Sequence, residues 1–323
     1  ELNRAIRAEG LLAPRPRYYA VLAGVILTGL ALVVGGLVAL HGSWWALLLA
    51  PAYAVVSAQL AFFSHDAAHR QIARDARTTA ALCLISGDLL NGLGYGWWVA
   101  KHNAHHANPN DLDADPDVAV GAFVWDSDQA RMRRGFAGFM TRNQAALFFP
   151  LLAAEAVNLY VSSLRAVLRP GVRYRRTELV LLVGHHLLYL ALVLGTLSWG
   201  QALVFVVAHQ ALFGVYLGCS FAPSHKGMPS LAPEQTADPL LRQVLTARNV
   251  RGGPFVDLAL GGLNLQIEHH LFPSMPRPNL RSAQPLVAAH CRLHGIPYAE
   301  SSLLGCYRLA LRHLREVGAP LRG

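Results

Sequence analysis

Charge is scarce in this sequence. Only 15% of its 323 residues are Asp, Glu, Lys or Arg, where a soluble domain carries roughly 25%. With 53% hydrophobic residues and a mean hydropathy of +0.31, the composition excludes a disordered chain, a collagen and a coiled coil. Cysteine is scarce as well. The four present, Cys83, Cys219, Cys291 and Cys306, form no CxxC pair, which excludes a rubredoxin-like or zinc-ribbon module. Cys83 and Cys219 lie in or beside apolar runs, so a disulfide framework is not expected. Acidic residues are the scarcer sign: 19 Asp and Glu against 28 Lys and Arg leave a formal charge of +9. In a chain this apolar the surplus reads as membrane topology, with basic loops facing anionic headgroups, and not as nucleic-acid binding. No internal repeat of fixed period is evident.

The apolar residues gather into runs of about 20, the length that crosses a bilayer core. They predict four spans, over residues 18–40, 44–63, 179–199 and 201–221. In the first, Gly24, Gly29, Gly35 and Gly36 permit close helix packing in lipid; Trp44 and Trp45 suit the interface where the second begins. The links at 41–43 and 198–201 carry no Lys or Arg. The charge asymmetry therefore predicts two hairpins with both termini cytoplasmic. Two further apolar stretches are not expected to cross. Thr79–Val99 is interrupted by Asp88, Asn91, Gly92, Gly94 and Gly96 and reads as half-inserted. Leu147–Leu168 holds Pro150, Glu155 and Asn158 between two basic flanks and reads as interfacial. The expected architecture is an all-α membrane protein, one domain over residues 1–323. Its four transmembrane helices leave residues 64–178 and 222–323 on the cytoplasmic side.

Fifteen histidines stand out against this background, and three clusters of them fall on that cytoplasmic side. Ser64-His65-Asp66-Ala67-Ala68-His69 follows the second span; Lys101-His102-Asn103-Ala104-His105-His106 and Leu265-Gln266-Ile267-Glu268-His269-His270 are the others. On a helix, positions i, i+3 and i+4 share a face. His65 then points with His69, His102 with His105 and His106, and Gln266 with His269 and His270. Neutral imidazole ligates iron, zinc, copper or nickel. Seven or more histidines exceed the four ligands of a structural zinc site and imply two metals. Near-exclusive nitrogen ligation also departs from soluble di-iron bundles, where carboxylates dominate. His225, just past the fourth span, reads equally as ligand or as loop residue. His185, His186 and His209, within spans, read as buried hydrogen-bonding groups or as further ligands. His41, His290, His294 and His313 read as surface.

The three clusters resemble the histidine boxes of the integral-membrane fatty acid desaturases, of the forms HxxxH, HxxHH and HxxHH. The third box here is QxxHH, in Gln266-Ile267-Glu268-His269-His270-Leu271-Phe272-Pro273, a variant that resembles the front-end (delta-5/delta-6, linoleoyl-CoA desaturase-like) branch. The likeness extends through Asn249-Val250-Arg251-Gly252-Gly253 and Pro273–Leu280 and covers nearly the whole chain. It implies a non-haem di-iron oxygenase that introduces a cis double bond into an acyl chain, with O2 and two electrons. It also implies iron ligands at His65, His69, His102, His105, His106, His269 and His270, and favours His225 as another. Gln266 would bind iron through its carbonyl or hold a water behind the ligands. Eukaryotic front-end members carry a haem domain with an HPGG motif. None occurs here, so the resemblance is to a bacterial type without that fused domain, located in the inner membrane. Its electrons would come from a separate ferredoxin or small cytochrome with its reductase. The basic stretches Arg131–Arg142 and Arg173–Arg176 read as a docking face for that donor or as ordinary cytoplasmic loops.

Imidazole ligands need outer partners that set tautomer and ring orientation. Asp66, Glu268 and Asn103 lie inside the boxes and are candidates, with Asp66 and Glu268 favoured. Asp111, Asp113, Asp115 and Asp117 are candidates as well; they lack the EF-hand Gly and terminal Glu, so calcium is not indicated, and they read chiefly as a solvated loop and otherwise as outer partners of the ligands. The substrate, acyl-CoA or acyl-lipid, would lie in an apolar tunnel open to membrane lipid, with its head group at the interface. Two other functions remain open. One is an acyl or alkyl hydroxylase on the same scaffold; the other is a histidine-rich metal transporter, against which the clusters' place at helix ends counts.

Overall fold

The computed structural model describes residues 1–231 and 238–322. Among the described residues helices dominate, and four are long and apolar enough to cross a membrane: Pro16–Ala39, Trp44–Ala68, Arg175–Thr196 and Trp199–His225. Each matches a predicted span, with shifted ends. The second runs on to Ala68, which places His65 inside the helix and His69 at its C-cap. The fourth continues through Pro223 to His225, so His225 is a helix residue and not a loop residue. The stretch 144–168 forms two helices, Gln144–Leu152 with Pro150 inside it and Glu155–Leu168. One feature departs from an all-α reading. Asn249–Arg251 and Glu300–Ser302 pair as parallel strands, Asn249 opposite Glu300. Three-residue strands are too short to display an alternating pattern in sequence.

The chain divides into two compact units. One comprises Ala13–Ala100 and Leu152–Gly218. It holds most of the apolar helix length, and its outward residues are apolar: Val21, Val25, Leu32, Val180, Leu187 and Leu203 are all exposed. Such a surface is stable against lipid and not against water. Trp44, Trp45 and Trp199 are exposed at helix starts, where amphipathic rings suit the membrane interface. The turns between successive helices meet: Gly42 N–H donates to the Thr196 carbonyl at 2.8 Å, and Gln201 Nε2 donates to the Gly42 carbonyl at 2.8 Å. Inside, His209 bonds Ser57 Oγ at 3.2 Å and Tyr189 OH at 2.9 Å and stacks on Tyr53. His185 Nδ1 donates to the Leu89 carbonyl at 2.9 Å. These histidines tie helices together by hydrogen bonds, one of the two readings the sequence left open.

The half-inserted stretch of the sequence reading is helix Ala76–Cys83, a π-helical turn Leu84–Leu89 and a break before helix Tyr95–Ala107. That last helix carries the second histidine cluster. Two buried carboxylates accept from its first two amides. Asp88 Oδ2 takes Tyr95 N–H at 3.2 Å, and the Glu178 carboxylate takes Gly96 N–H at 3.1 and 3.2 Å. Gly96 permits this approach, since a Cβ there would sit 2.7 Å from Glu178 Oε1. Burial, with the Glu178 charge beside it, pushes the Asp88 carboxyl up to about 8. In an unfolded chain the same group titrates near 4 (roughly). Between those values the folded chain keeps a proton that the unfolded chain has released, so stability falls as pH rises through the window. Asp88→Asn should flatten that fall. Thermal melting of the detergent-solubilised protein across this pH range checks it, and equal slopes for variant and wild type would show that Asp88 is ionised in the fold.

The second unit comprises Glu1–Leu12, Lys101–Leu151 and Cys219–Gly323. Its core gathers Leu2 and Ile6 from the N-terminal helix Leu2–Ala8, and Leu11 from the turn after it, with Leu265, Ile267, Met275, Leu280 and Val287. The third histidine cluster lies on the crossover between the two parallel strands, on a helix of one and a half turns, Gln266–Leu271. Nothing so short is stable alone. Asn249, on the first strand, holds it from outside: Oδ1 accepts Ile267 N–H at 3.0 Å, and Nδ2 donates to Glu268 Oε2 at 2.7 Å.

Candidate metal centre

Two predicted site residues belong to the lipid-facing unit. His65 and His69 stand one turn apart with ring centroids 4.6 Å apart, as the HxxxH spacing requires. Asp66 Oδ1 lies 3.2 Å from His65 Nδ1, and both residues are buried. Trp98 packs edge-on against His65 at 5.5 Å.

Six belong to the other unit, and they form one continuous cluster. His102 and His106 approach within 3.1 Å between Nε2 atoms. The His269 ring lies 4.9 Å from His106 and 6.4 Å from His102. His270 stacks on His106 at 4.2 Å and lies 4.7 Å from His225 and 5.1 Å from His105. His105, His225 and His270 are all buried, and one ring nitrogen from each lies within 4.8 Å of the other two. Helix Tyr95–Ala107 supplies three of these rings, helix Gln266–Leu271 two, and the last turn of Trp199–His225 one.

The rings are held from behind. His105 Nδ1 lies 2.9 Å from Asp115 Oδ2, His225 Nδ1 3.2 Å from the Thr246 carbonyl, and His270 Nδ1 2.8 Å from Gln243 Oε1. All three acceptors fix the proton on Nδ1 and leave Nε2 as the nitrogen that carries the lone pair; that of His225 faces the Gln266 amide nitrogen at 2.9 Å. His270 Nε2 is buried with no hydrogen-bond partner. Burial first, then the neighbouring His106, His225, His105 and His269, holds the His270 ring well below its ordinary pKa, so it is neutral at pH 7. Converging neutral imidazoles with Nδ1 occupied are the donor set of a first-row transition metal, iron included.

The other candidates fall in different places. Gln266 is buried with its amide nitrogen 2.9 Å from His225 Nε2, at the edge of the cluster. Glu268 is buried but accepts from Asn249 on the first strand and from the Tyr298 hydroxyl, and these two contacts involve no imidazole. Burial raises its carboxyl above the usual range in spite of those two donors. Asn103 is exposed. Asp115, read chiefly as part of a solvated loop and otherwise as an outer partner of the ligands, is 2% exposed and holds His105, the second of those readings. Gln243 was not singled out by the sequence, and it links two boxes: its Nε2 donates to the His106 carbonyl at 2.8 Å while Oε1 takes His270. His313, read as surface, is half-buried and lines a small cavity of about 70 Å³ with His225, Lys226 and Trp125.

The fatty acid desaturase family model matches residues 42–302, most of the chain and all three boxes. The chain belongs to the fatty acid desaturase family. An acyl-lipid (9-3)-desaturase of Borago officinalis is 31% identical over 82% of this chain and 62% of its own length. One of Physcomitrium patens is 31% identical over 80% and 51%. Fatty acid desaturase 3 of Bos taurus is 28% identical over 98% and 72%. The chain spans about half to three fifths of the length of the first two relatives. Within the family match, the parallel strands and the Asn249–Glu268–Tyr298 contacts are part of what supports the third box.

Proposed function

We propose that this chain is a membrane di-iron fatty acyl desaturase working as one domain. It introduces a cis double bond into an acyl chain, with O2 and two electrons from a separate donor. The reaction balances as one CH2–CH2 unit, O2, two electrons and two protons giving one CH=CH unit and two waters. The observation that carries the reading is the cluster of six imidazoles in which His105, His225 and His270 have Nδ1 occupied by acceptors. His102, His105, His106, His225, His269 and His270 would hold iron, and His65 and His69 complete the ligand set by the order of the boxes. Bound iron supplies the oxidising power that an unactivated C–H bond demands. The protein's part is orientation. Asp115, the Thr246 carbonyl and Gln243 fix ring tautomers, Asp66 does so for His65, and Gln266 lies against His225 at the centre's edge.

The QxxHH form of the third box and the names of the relatives favour the front-end branch. The substrate is an acyl-CoA or acyl-lipid whose tail lies among apolar helices, in a bacterial inner membrane with the histidines cytoplasmic. A ferredoxin or a small cytochrome with its reductase is the donor, docking on the basic stretches Arg131–Arg142 and Arg173–Arg176.

Lipid profiling of cells expressing the chain with a competent donor tests this. The expected product is about 2 Da lighter than the substrate; a product about 16 Da heavier would assign hydroxylation instead. Purified protein without iron, or without any oxidised acyl product in O2, would sink the proposal. Metal flux in proteoliposomes with no oxygen consumed would assign transport.

A further inference from the structure

Two of the acceptors that hold the histidines come from separate stretches of chain. Asp115, on the loop after helix Tyr95–Ala107, holds His105; the Thr246 carbonyl, at the end of helix Pro239–Leu245, holds His225. One residue bonds to both. The Asn110 backbone N–H donates to Asp115 Oδ2 at 2.8 Å, the same oxygen that faces His105 Nδ1. The Asn110 side-chain Nδ2 donates to the Thr246 carbonyl at 3.1 Å, the same oxygen that faces His225 Nδ1, and to the His225 carbonyl at 3.2 Å. A longer contact reaches the Pro229 carbonyl at 3.5 Å.

We propose that Asn110 is a positioning residue of the metal centre, locking the acceptor of His105 to the acceptor of His225 and so setting the relative orientation of those two rings. The inference rests on the metal-binding reading above. The residue type suits the task in three ways. Its φ of 61° lies in the left-handed region, which Asn tolerates far better than most residues. Its NH2 group offers two hydrogens to a cluster of carbonyls, where a carboxylate would offer only repulsion. It is 5% exposed, so these bonds are made in the interior, where an unmet partner is costly. The geometry is economical with acceptors: one carboxylate oxygen and one carbonyl oxygen each take a ring N–H and an Asn110 N–H together.

Two variants separate the amide from the turn. Asn110→Gly keeps the left-handed backbone and removes the side chain; Asn110→Asp keeps the shape and removes the donor. Both leave the backbone N–H to Asp115 in place. The measurement is Co2+ titration of the purified, metal-free full chain in detergent, read by its visible ligand-field bands and by chelator competition, beside thermal melting of the metal-free protein. Wild type is expected to bind in more than one phase. In both variants one phase should weaken by about 10–100-fold, the usual effect of removing an outer hydrogen-bond partner, with shifted bands. The remaining phase and the metal-free melting temperature should hold. If wild type binds Co2+ and both variants bind it identically, the role of Asn110 is overturned while the metal reading stands. Equal weakening of all phases with a collapsed metal-free melting temperature also overturns it, since Asn110 would then support only the fold. A wild type that binds no Co2+ overturns the metal reading itself.

Discussion

His270→Ala should abolish the acyl desaturation proposed above and lower the iron held by the proposed centre. His270 occupies the middle of the six-ring cluster, 4.2 Å from His106, 4.7 Å from His225, 5.1 Å from His105 and 5.9 Å from His269. Its Nδ1 is committed to Gln243, its Nε2 is buried without a partner, and burial keeps it neutral. Truncation deletes a ligand and also leaves Gln243 Oε1 without its donor. Removing an outer partner of a metal ligand costs about 10–100-fold in metal affinity, and removing the ligand should exceed that. Iron per chain by elemental analysis, with product analysis by mass spectrometry, measures both. His294→Ala is the control, because His294 is exposed at the far end of helix Arg277–Leu293. Full iron and full activity in the His270 variant would remove that residue from the centre.

Gly214→Leu should prevent stable folding of the lipid-facing unit. A Cβ at Gly214 would lie 2.5 Å from the Leu152 carbonyl oxygen, 3.0 Å from Ala156 N and 3.1 Å from Glu155 N. All three are backbone atoms, so no side-chain rotation relieves the clash. Four residues on, a Cβ at Gly218 would meet Leu152 Cδ2 at 2.5 Å. Helix Trp199–His225 thus presents two glycines one turn apart to the junction where helix Gln144–Leu152 ends and helix Glu155–Leu168 begins, the close approach that small residues permit between helices in lipid. Overpacking a tight contact costs about 1–3 kcal/mol and more where backbone must move. Gly218→Ala should be milder, because the Leu152 side chain can turn away. Thermal melting in detergent ranks the two. A Gly214→Leu protein that melts like wild type would show that the helices do not approach as described.

Much of the molecule could be read from local spacing. The four long helices appear as runs of apolar residues, and their bounds shift by only a few residues on folding. The boxes are legible because positions i, i+3 and i+4 share a helix face whatever surrounds the helix, and the rings of His102, His106, His269 and His270 do cluster. His225 was harder, because Pro223 two residues earlier reads as the end of a helix and instead lies within it. Glu268 was misleading for the opposite reason: neighbouring His269 in sequence says nothing of its partners, which are Asn249 and Tyr298.

Residue order and chemistry alone were enough to establish the class of chain, the apolar helices and which imidazoles share a helical face, because each of these depends on neighbours within a turn or on composition over about 20 residues. The partners that orient the rings depend on folding. Gln243 reaches His270, the Thr246 carbonyl reaches His225, and Asn110 reaches both Thr246 and the acceptor of His105. A hydrogen bond has no periodic signature, and its two ends can lie on any segments that packing brings within about 3 Å of each other.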